Sequence, residues 1–269
     1  MQWVRDRRFF GGPALVAGLL AMGLVPAAAR PARAGEGVVE INQTCALQTG
    51  CFAGDVPGFP VTIAAAGSYR LTSHLVIPND DTDGIRISTS DVGIDLNRFA
   101  VIRSSCVDNN TICRPNSGTG NGIETIAASS RGISVRNGSV TGMGDMGITL
   151  GEQAEVRDVL VRWNGGDAIV VGLGSTVADA VVFQNGGDGI VADSGSSVSD
   201  STVYDNAADG IETGGGCSVQ RNTVRANTGV ALRLGAQSTY RENTLTSNGG
   251  GCVTGGVNAG DNGCNGSVN

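Results

Sequence analysis

Apolar and polar positions alternate along the chain in a pattern that repeats every 21 residues. One asparagine recurs at that spacing, as Asn164, Asn185, Asn206, Asn227 and Asn248. Two apolar columns hold the same register, one made of Val161, Val182, Val203, Val224 and Leu245, the other of Ile169, Ile190, Ile211, Leu232 and Val253. A fixed period near 20 residues predicts a solenoid in which each repeat forms one coil.

The segments within each repeat have the character of strands rather than helices. Short apolar alternations are separated by Gly, Asn, Asp and Ser, and a Gly-Ile pair opens one strand in several repeats, as at Gly189-Ile190 and Gly210-Ile211. Stacking such coils buries the valine and isoleucine columns. The asparagine amides are then expected to hydrogen-bond from coil to coil and to satisfy backbone groups in a turn.

These repeats resemble those of the right-handed parallel β-helix proteins, the fold of pectate lyases and of many carbohydrate-active or carbohydrate-binding solenoids. The resemblance covers residues 76–253, and the opening Ile41-Asn42-Gln43, Gly67-Ser68-Tyr69-Arg70-Leu71 and Asp95-Leu96-Asn97 is similar to that of a bacterial exported subgroup. It implies an all-β fold, a single-stranded right-handed parallel β-helix with about 21 residues per coil. Because one fold hosts many activities, the function has to be argued from a site.

The chain divides into four predicted segments. They are an export signal at 1–34, an irregular N-terminal cap at 35–75, the β-helix at 76–253 and a Gly/Asn-rich tail at 254–269. The signal has a basic start, an apolar middle and a small-residue cleavage site at Ala32-Arg33-Ala34. Arg7-Arg8 resembles a twin-arginine signal but equally fits an ordinary basic start. No later segment is apolar enough to span a membrane, so we expect an exported protein, periplasmic or secreted.

Seven cysteines fit an oxidising compartment. Proximity in the sequence predicts the disulfides Cys45–Cys51, Cys106–Cys113 and Cys252–Cys264, placed at the two ends and in a polar insertion at 103–120. Cys217 is left over and is interpreted as a structural thiol. No C-x-x-C pair is present and His74 is the single histidine, which argues against a zinc site or an activated nucleophile.

The charge balance excludes some partners. The chain contains no lysine, and its 18 basic residues are outnumbered by 25 acidic ones. Without residues 1–34 the balance is 18 − 5 = 13 basic against 25 − 1 = 24 acidic residues, a formal charge of −11. Nucleic-acid binding is therefore excluded as a function. A polyanionic polysaccharide would also be repelled unless a cation such as Ca²⁺ bridges it to the protein.

Three aspartates form the most prominent polar column. Asp167, Asp188 and Asp209 each follow a column asparagine by three residues. In pectate lyases clustered aspartates bind calcium, so the resemblance implies a Ca²⁺ site here. The alternative is a turn column, because aspartate carboxylates readily accept hydrogen bonds from nearby backbone N–H groups.

A second column is rich in aromatic and basic side chains. Arg162, Phe183, Tyr204 and Arg225 directly follow inward-facing valines and should therefore point outward. Such a row could bind sugar rings and carry cation–π contacts, or it could simply stabilise the surface of the sheet.

Catalytic candidates are few. Arg86 and Arg233 point outward from Gly-Ile-type strands and are the candidate bases for a β-elimination assisted by Ca²⁺. The absence of a His-Gly pair and of lysine removes a polygalacturonase mechanism. The sequence favours an exported β-helix protein that binds carbohydrate or acts at the cell surface without catalysis. A calcium-assisted polysaccharide lyase and a structural or adhesion solenoid remain as alternatives, and the oligomeric state is left open.

Overall fold

The computed structural model describes residues 37–107, 113, 118–127 and 129–268. Contacts between Cα atoms divide the chain into residues 1–31 and 32–269, and all described residues belong to the second unit. The predicted export signal at 1–34 lies outside the described residues.

The strands form three faces that run along the solenoid. Face 1 contains Val61–Ile63, Ile85–Ile87, Ile123–Thr125, Ile148–Leu150, Ile169–Val171, Ile190–Ala192, Ile211–Thr213, the start of Leu232–Arg241, and Val253–Asn258. Face 2 contains Val38–Ile41, Gly67–Leu71, Val92–Asp95, the first parts of Ser134–Thr141 and Glu155–Arg162, Thr176–Ala178, Ser197–Ser199, Ser218–Gln220 and the end of Leu232–Arg241. Face 3 contains Leu75–Ile77, Ala100–Arg103, the second parts of Ser134–Thr141 and Glu155–Arg162, Val181–Phe183, Thr202–Tyr204, Thr223–Arg225, Thr244–Thr246 and Gly263–Cys264.

Each strand pairs in parallel with the strand one coil away on the same face. Ile169 lies opposite Ile190, and Ile190 lies opposite Ile211, so the pairing register equals the 21-residue period. Face 1 counts nine strands among the described residues, which gives about nine coils. The predicted right-handed parallel β-helix is confirmed, with little helix: Gln43–Gln48 is α-helical and Ser104–Cys106 forms a 3₁₀ turn. The last strand, Ser267–Val268, pairs antiparallel with Gly263–Cys264.

The core lies in the interior of the coils and consists of the predicted columns. The inward-facing isoleucines of face 1 and the inward-facing valines of faces 2 and 3 are fully buried, including Ile169, Ile190, Val177, Val182 and Val203. Each such side chain contributes about 1.5–3 kcal/mol when it leaves water. Since the side chains of a strand alternate, burial of these columns forces their sequence neighbours outward.

Two buried polar ladders accompany this core. From Asn185 onward, the side-chain Oδ1 of each column asparagine accepts hydrogen bonds from the Nδ2 and the backbone N of the asparagine one coil earlier, as Asn206 does from Asn185 at 2.9 and 3.1 Å. The predicted amide ladder is thus present from Asn164 to Asn248. A second ladder, Asn222–Asn243–Asn262, was not predicted and lies at the corner between faces 2 and 3.

A third column explains the free cysteine. Ser175, Ser196 and Ser238 occupy equivalent buried positions, where Ser196 Oγ donates to Gly172 O and Ser238 Oγ donates to Gly214 O. Cys217 takes the same place, and its Sγ lies 3.3 Å from Asp193 O. The thiol is buried and unpaired, as a structural role requires.

The ends of the solenoid are more regular than the sequence suggests. The cap segment at 35–75 was expected to be irregular, but Val38–Ile41 pairs with Gly67–Leu71 and Val61–Ile63 pairs with Ile85–Ile87, so stacking begins before residue 76. A short helix and the loop that follows it, which carries the Cys45–Cys51 disulfide, interrupt these coils. In the tail, Val253–Asn258 continues face 1, so strand pairing as well as Cys252–Cys264 holds it.

The disulfide of the insertion after Arg103 packs against Gly142 of the solenoid. Cys106 and Cys113 are bonded and buried. Gly142 lies beneath them with φ +76°, and a Cβ placed there would come 2.1 Å from Cys106 Sγ. Only glycine fits this close approach. Among the residues that the structure describes, no helix has the length and apolar character needed to cross a membrane.

The ladder geometry predicts a specific loss of stability. Replacing Asn206 by Ala leaves the backbone N–H and the amide of Asn185 without their acceptor in a buried site. We expect Asn206→Ala to lower the free energy of unfolding by about 2–4 kcal/mol. Asn248→Ala removes equivalent bonds at a half-buried position that water can reach, so its effect should be smaller. Chemical denaturation followed by circular dichroism measures both; equal effects would contradict the argument.

Candidate functional site

The aromatic and basic column predicted from the sequence is assembled on face 3. Parallel pairing places Arg162 opposite Phe183, Phe183 opposite Tyr204, and Tyr204 opposite Arg225. The valine before each of them is fully buried, which turns these four side chains outward. We call this set the arginine–aromatic row.

Contacts within the row leave little aromatic face exposed to a ligand. The rings of Phe183 and Tyr204 stack with centroids 4.8 Å apart and an interplanar angle of 9°. The guanidinium carbon of Arg225 lies 4.4 Å from the Tyr204 centroid, so the tyrosine ring contacts Phe183 and Arg225. The expected stacking of sugar rings on these two aromatics is therefore not favoured by their geometry. What the row presents is ring edges, guanidinium groups and the tyrosine hydroxyl.

Trp163 is an important neighbour that sequence reasoning missed. It follows Arg162 at a corner where the backbone is left-handed, with φ +60°. The Arg162 guanidinium carbon lies 4.1 Å from the indole centroid, and the indole meets Phe183 edge-on at 6.4 Å. Its Nε1 donates to Gln184 Oε1 at 2.7 Å. The 21-residue period places Trp163 in one column with Gly142, Gln184, Asp205, Ala226 and Ser247, but what these residues share is a left-handed backbone rather than a side-chain type.

A groove runs beside the row on this corner. It has a volume of about 370 Å³ and is lined by Trp163, Gln184, Asp205, Ala226 and Thr228, together with ladder asparagines and the small residues Gly186 and Ala207. The small residues leave the recess open, and its size falls in the range of ligand sites. Amide, carboxylate, hydroxyl and indole groups converge there, a combination suited to a ligand rich in hydroxyl groups.

The two arginines of the row differ from the ion-paired arginines found elsewhere among the described residues. Among the described residues neither Arg162 nor Arg225 forms an ion pair, and the buried Nε of Arg162 has no hydrogen-bond partner. Burial lowers the pKa of Arg162, with only Tyr204 acting in the opposite direction. Arg221 shows the contrast, since its Nε and Nη2 lie 2.7 and 2.8 Å from the two carboxylate oxygens of Asp200.

The aspartate column lies on a different part of the coil, just before face 1. Asp167 Oδ1 accepts the backbone N–H of Asp188 at 2.7 Å, Asp188 Oδ1 accepts that of Asp209 at 2.6 Å, and Asp209 does the same for Val230. Asn121 holds the same position and accepts the N–H of Met146 at 3.0 Å. One oxygen of each aspartate thus accepts a backbone N–H group in the turn, which is the alternative to a Ca²⁺ site that the sequence left open.

The remaining carboxylate oxygens create a local acidic cluster. Asp188, Asp209 and Glu212 each offer an oxygen within 4.8 Å of the others, an arrangement that could hold a cation. Glu212 joins this set in place of Asp167. Burial raises the pKa of Asp188, and the nearby charges of Asp167, Glu212 and Asp209 act in the same direction against the lowering effect of the Asp209 N–H. Arg233 also pairs with Asp209 and competes with a cation for that carboxylate.

Arg86 and Arg233 lie far apart along face 1. Arg86 is in register with Glu124, and six strand steps separate it from Arg233, about 28 Å at the usual spacing. Arg86 pairs with Glu124 at 2.8 Å and with Asp83, and hydrogen bonding to Glu124 raises its pKa. Hydrogen bonding to Asp209 raises the pKa of Arg233 in the same way. The two cannot act on one sugar, and a raised pKa opposes a role as general base.

His74 has a structural environment. Its Nδ1 accepts the backbone N–H of Ala100 at 3.0 Å, and its ring meets Phe99 edge-on. The residue therefore fixes the chain at the start of Ala100–Arg103 rather than facing a groove.

The stacked faces and internal ladders define a right-handed β-solenoid. The sequence matches the family described as "Right handed beta helix region" over residues 121–265, more than half of the chain, and the protein belongs to that family. No curated protein gives a significant match.

Two of the solved structures that match this chain are alginate epimerases. The A-module of the mannuronan C-5 epimerase AlgE6 of Azotobacter vinelandii is 16% identical, with 80% of this chain and 67% of that chain covered and a TM-score of 0.45. A point mutant of the periplasmic alginate epimerase AlgG is 12% identical, with 81% and 69% covered and a TM-score of 0.39. Both TM-scores lie below 0.5, so these similarities carry no conclusion about this chain.

The raised pKa of Asp188 predicts a stabilising substitution. The folded chain binds the Asp188 proton more tightly than the unfolded chain, so stability falls as pH rises through the window from the unfolded pKa to the raised folded pKa. Asp188→Asn keeps an acceptor for the Asp209 N–H, as Asn121 does in the same column. We expect a higher unfolding midpoint than wild type at neutral pH in the presence of a chelator, and convergence below a pH of about 4.

Asp200→Asn is the matched control for this pH series. Hydrogen bonding to Arg221 lowers the pKa of Asp200, so its loss should act in the opposite direction at neutral pH. An Asp188→Asn protein less stable than wild type at neutral pH would contradict the assignment.

Proposed function

We propose that the protein is an exported carbohydrate-binding solenoid without catalytic activity, and that its glycan lies in the groove beside Trp163. The observation that carries the proposal is the juxtaposition of an indole, a set of polar groups and an open recess along one corner of the coils. An apolar ring surface combined with a few fixed polar groups is the usual composition of a small-ligand site.

The chemistry of the groove suits sugar hydroxyl groups. Gln184, Asp205 and Thr228 supply an amide, a carboxylate and a hydroxyl from successive coils. Gln184 is held in place by its hydrogen bond with the Trp163 indole, which limits the side-chain entropy lost on binding. Because successive coils place these polar groups one strand spacing apart along the groove, an extended oligosaccharide fits better than a single sugar ring.

Export is part of the proposal and is supported by the cysteines. The disulfides Cys45–Cys51, Cys106–Cys113 and Cys252–Cys264 close the two ends and the insertion. Such bonds persist in oxidising compartments. A periplasmic or secreted location accommodates them, with the twin-arginine route as one way of reaching it.

A second candidate is a calcium-assisted polysaccharide lyase or related carbohydrate-active enzyme centred on face 1. The close approach of Asp188, Asp209 and Glu212 favours it. A bound Ca²⁺ would be held by these carboxylates and could bridge an acidic sugar to the protein. The ion-paired state of Arg86 and Arg233 is why we place this candidate second.

The binding proposal predicts that Trp163 dominates affinity for glycan. We expect Trp163→Ala to weaken binding at least about tenfold, because a central aromatic contact is lost together with the partner of Gln184. Leu173→Ala removes an exposed apolar side chain elsewhere on the surface and serves as the matched control. A glycan array identifies ligands and titration calorimetry measures the affinities, with circular dichroism to verify folding.

Outcomes of the same experiments separate the candidates. Absence of binding across neutral and acidic glycans with folded protein would overturn the proposal, and concentration-dependent self-association alone would favour a structural role. Cleavage of an acidic polysaccharide that requires Ca²⁺ and is lost in Glu212→Gln would establish the lyase alternative, whereas Trp163→Ala should leave such cleavage chemistry intact.

A further inference from the structure

We propose that Arg162 and Arg225 bind two anionic groups of one polysaccharide chain that runs parallel to the solenoid axis along the arginine–aromatic row. This inference rests on the proposed function and names the ligand class as an acidic glycan, which the two arginines hold against the net negative charge of the chain in place of a bridging cation. The anionic group is a carboxylate or a sulfate, since a guanidinium binds either through paired N–H donors.

The register of face 3 fixes the distance between the two arginines. Arg162, Phe183, Tyr204 and Arg225 are consecutive partners, so three strand steps separate the two backbones. At 4.7–4.9 Å per step this distance is about 14 Å. A ligand that contacts both must therefore extend along the axis and carry negative charges at that separation.

Both guanidinium groups are positioned before a ligand arrives. Arg162 lies 4.1 Å from the Trp163 centroid and Arg225 lies 4.4 Å from the Tyr204 centroid. A guanidinium held over a ring keeps its edge N–H groups available for an oxyanion. The contact also reduces the conformational entropy that binding would otherwise cost.

Within the described part of the chain, the lack of a carboxylate partner for either arginine favours an anionic ligand. The chain carries 25 acidic against 18 basic residues, yet among its described residues none forms an ion pair with Arg162 or Arg225. The buried, unpartnered Nε of Arg162 adds an unsatisfied donor next to the row. Because that Nε is itself buried, an anionic ligand would bind the outer N–H groups of the guanidinium.

Asp205 determines whether the anionic groups of the glycan lie in the groove or over face 3. It follows Tyr204 at the corner and lines the groove between the two arginines. Its carboxylate repels an anion in the groove and accepts sugar hydroxyls there. The glycan is thus oriented with hydroxyls in the groove and its anionic groups over face 3, and Asp205→Asn should tighten binding of acidic glycans.

The test is the dependence of affinity on ligand length. Titration calorimetry is carried out with oligouronates of increasing length, with the same oligomers as neutral methyl esters, and with sulfated neutral oligosaccharides. We expect affinity for the charged ligands to rise at least about tenfold when the oligomer first spans about 14 Å, because the second contact becomes intramolecular. Oligouronates and sulfated ligands distinguish carboxylate from sulfate recognition.

Variants locate the step. Arg162→Gln and Arg225→Gln should each abolish the rise in affinity with oligomer length. The double variant should behave like either single variant, because one missing contact already removes the rise. Arg221→Gln, which removes an arginine already paired with Asp200, should keep it. Neutral esters should show no step in any protein.

The outcomes distinguish this inference from the function on which it rests. If neutral glycans bind in a manner dependent on Trp163 and charged ligands show no length step, the inference is wrong and the proposed function stands. A step that survives in Arg225→Gln also overturns it. If no glycan of either kind binds the folded protein, the proposed function itself fails.

Discussion

Parallel strand pairing in constant register is the constraint on which the rest of this structure depends. Once Ile190 lies opposite Ile169 and Ile211, every residue of the coil lies opposite its equivalent 21 positions away. Any column of identical side chains is then stacked at strand spacing, whatever its chemistry. Valine and isoleucine columns gain burial from this stacking, whereas polar columns must find hydrogen bonds or separate their charges.

The asparagine and aspartate columns solve that problem differently. An amide carries both donors and an acceptor, so Asn185 and Asn206 can bond to each other inside the protein. A carboxylate only accepts, so Asp167 and Asp188 use backbone N–H groups and leave one oxygen directed elsewhere. Such a column accumulates negative charge at the surface, and Arg233 offsets part of it through Asp209.

Much of the fold could be predicted because the inward positions are the periodic ones. The columns around Val182 and Ile190, the amide ladder and the three disulfides follow from spacing alone. The first coils were harder, since face-1 partners there are Val61, Ile85, Ile123 and Ile148, at separations of 24, 38 and 25 residues. Insertions change the chain length of a coil without changing its strand register, so periodicity disappears while stacking continues.

The candidate site was predictable only in part. The period placed Arg162, Phe183, Tyr204 and Arg225 on one face, but it gave no indication that the rings would stack on one another. Trp163 was not predicted as a site residue because its column contains six unlike residues. Their shared property is a left-handed backbone rather than a side-chain type. Glu212 was not predicted because it belongs to a different column from Asp188 and Asp209, and the sequence does not show that the two columns lie close together. Functional groups on a solenoid therefore arise where the repeat varies in chemistry while its backbone remains the same.

The fixed register also restricts side chains on one face to discrete positions along the solenoid axis. A side chain on face 3 can be moved along the axis only by whole coils, each about 4.8 Å, because intermediate positions would break the ladders inside. Axial separations between backbone positions of one column are consequently whole-number multiples of one strand step. Duplication or deletion of a single 21-residue unit would reset the separation of two groups while leaving the geometry around each of them unchanged.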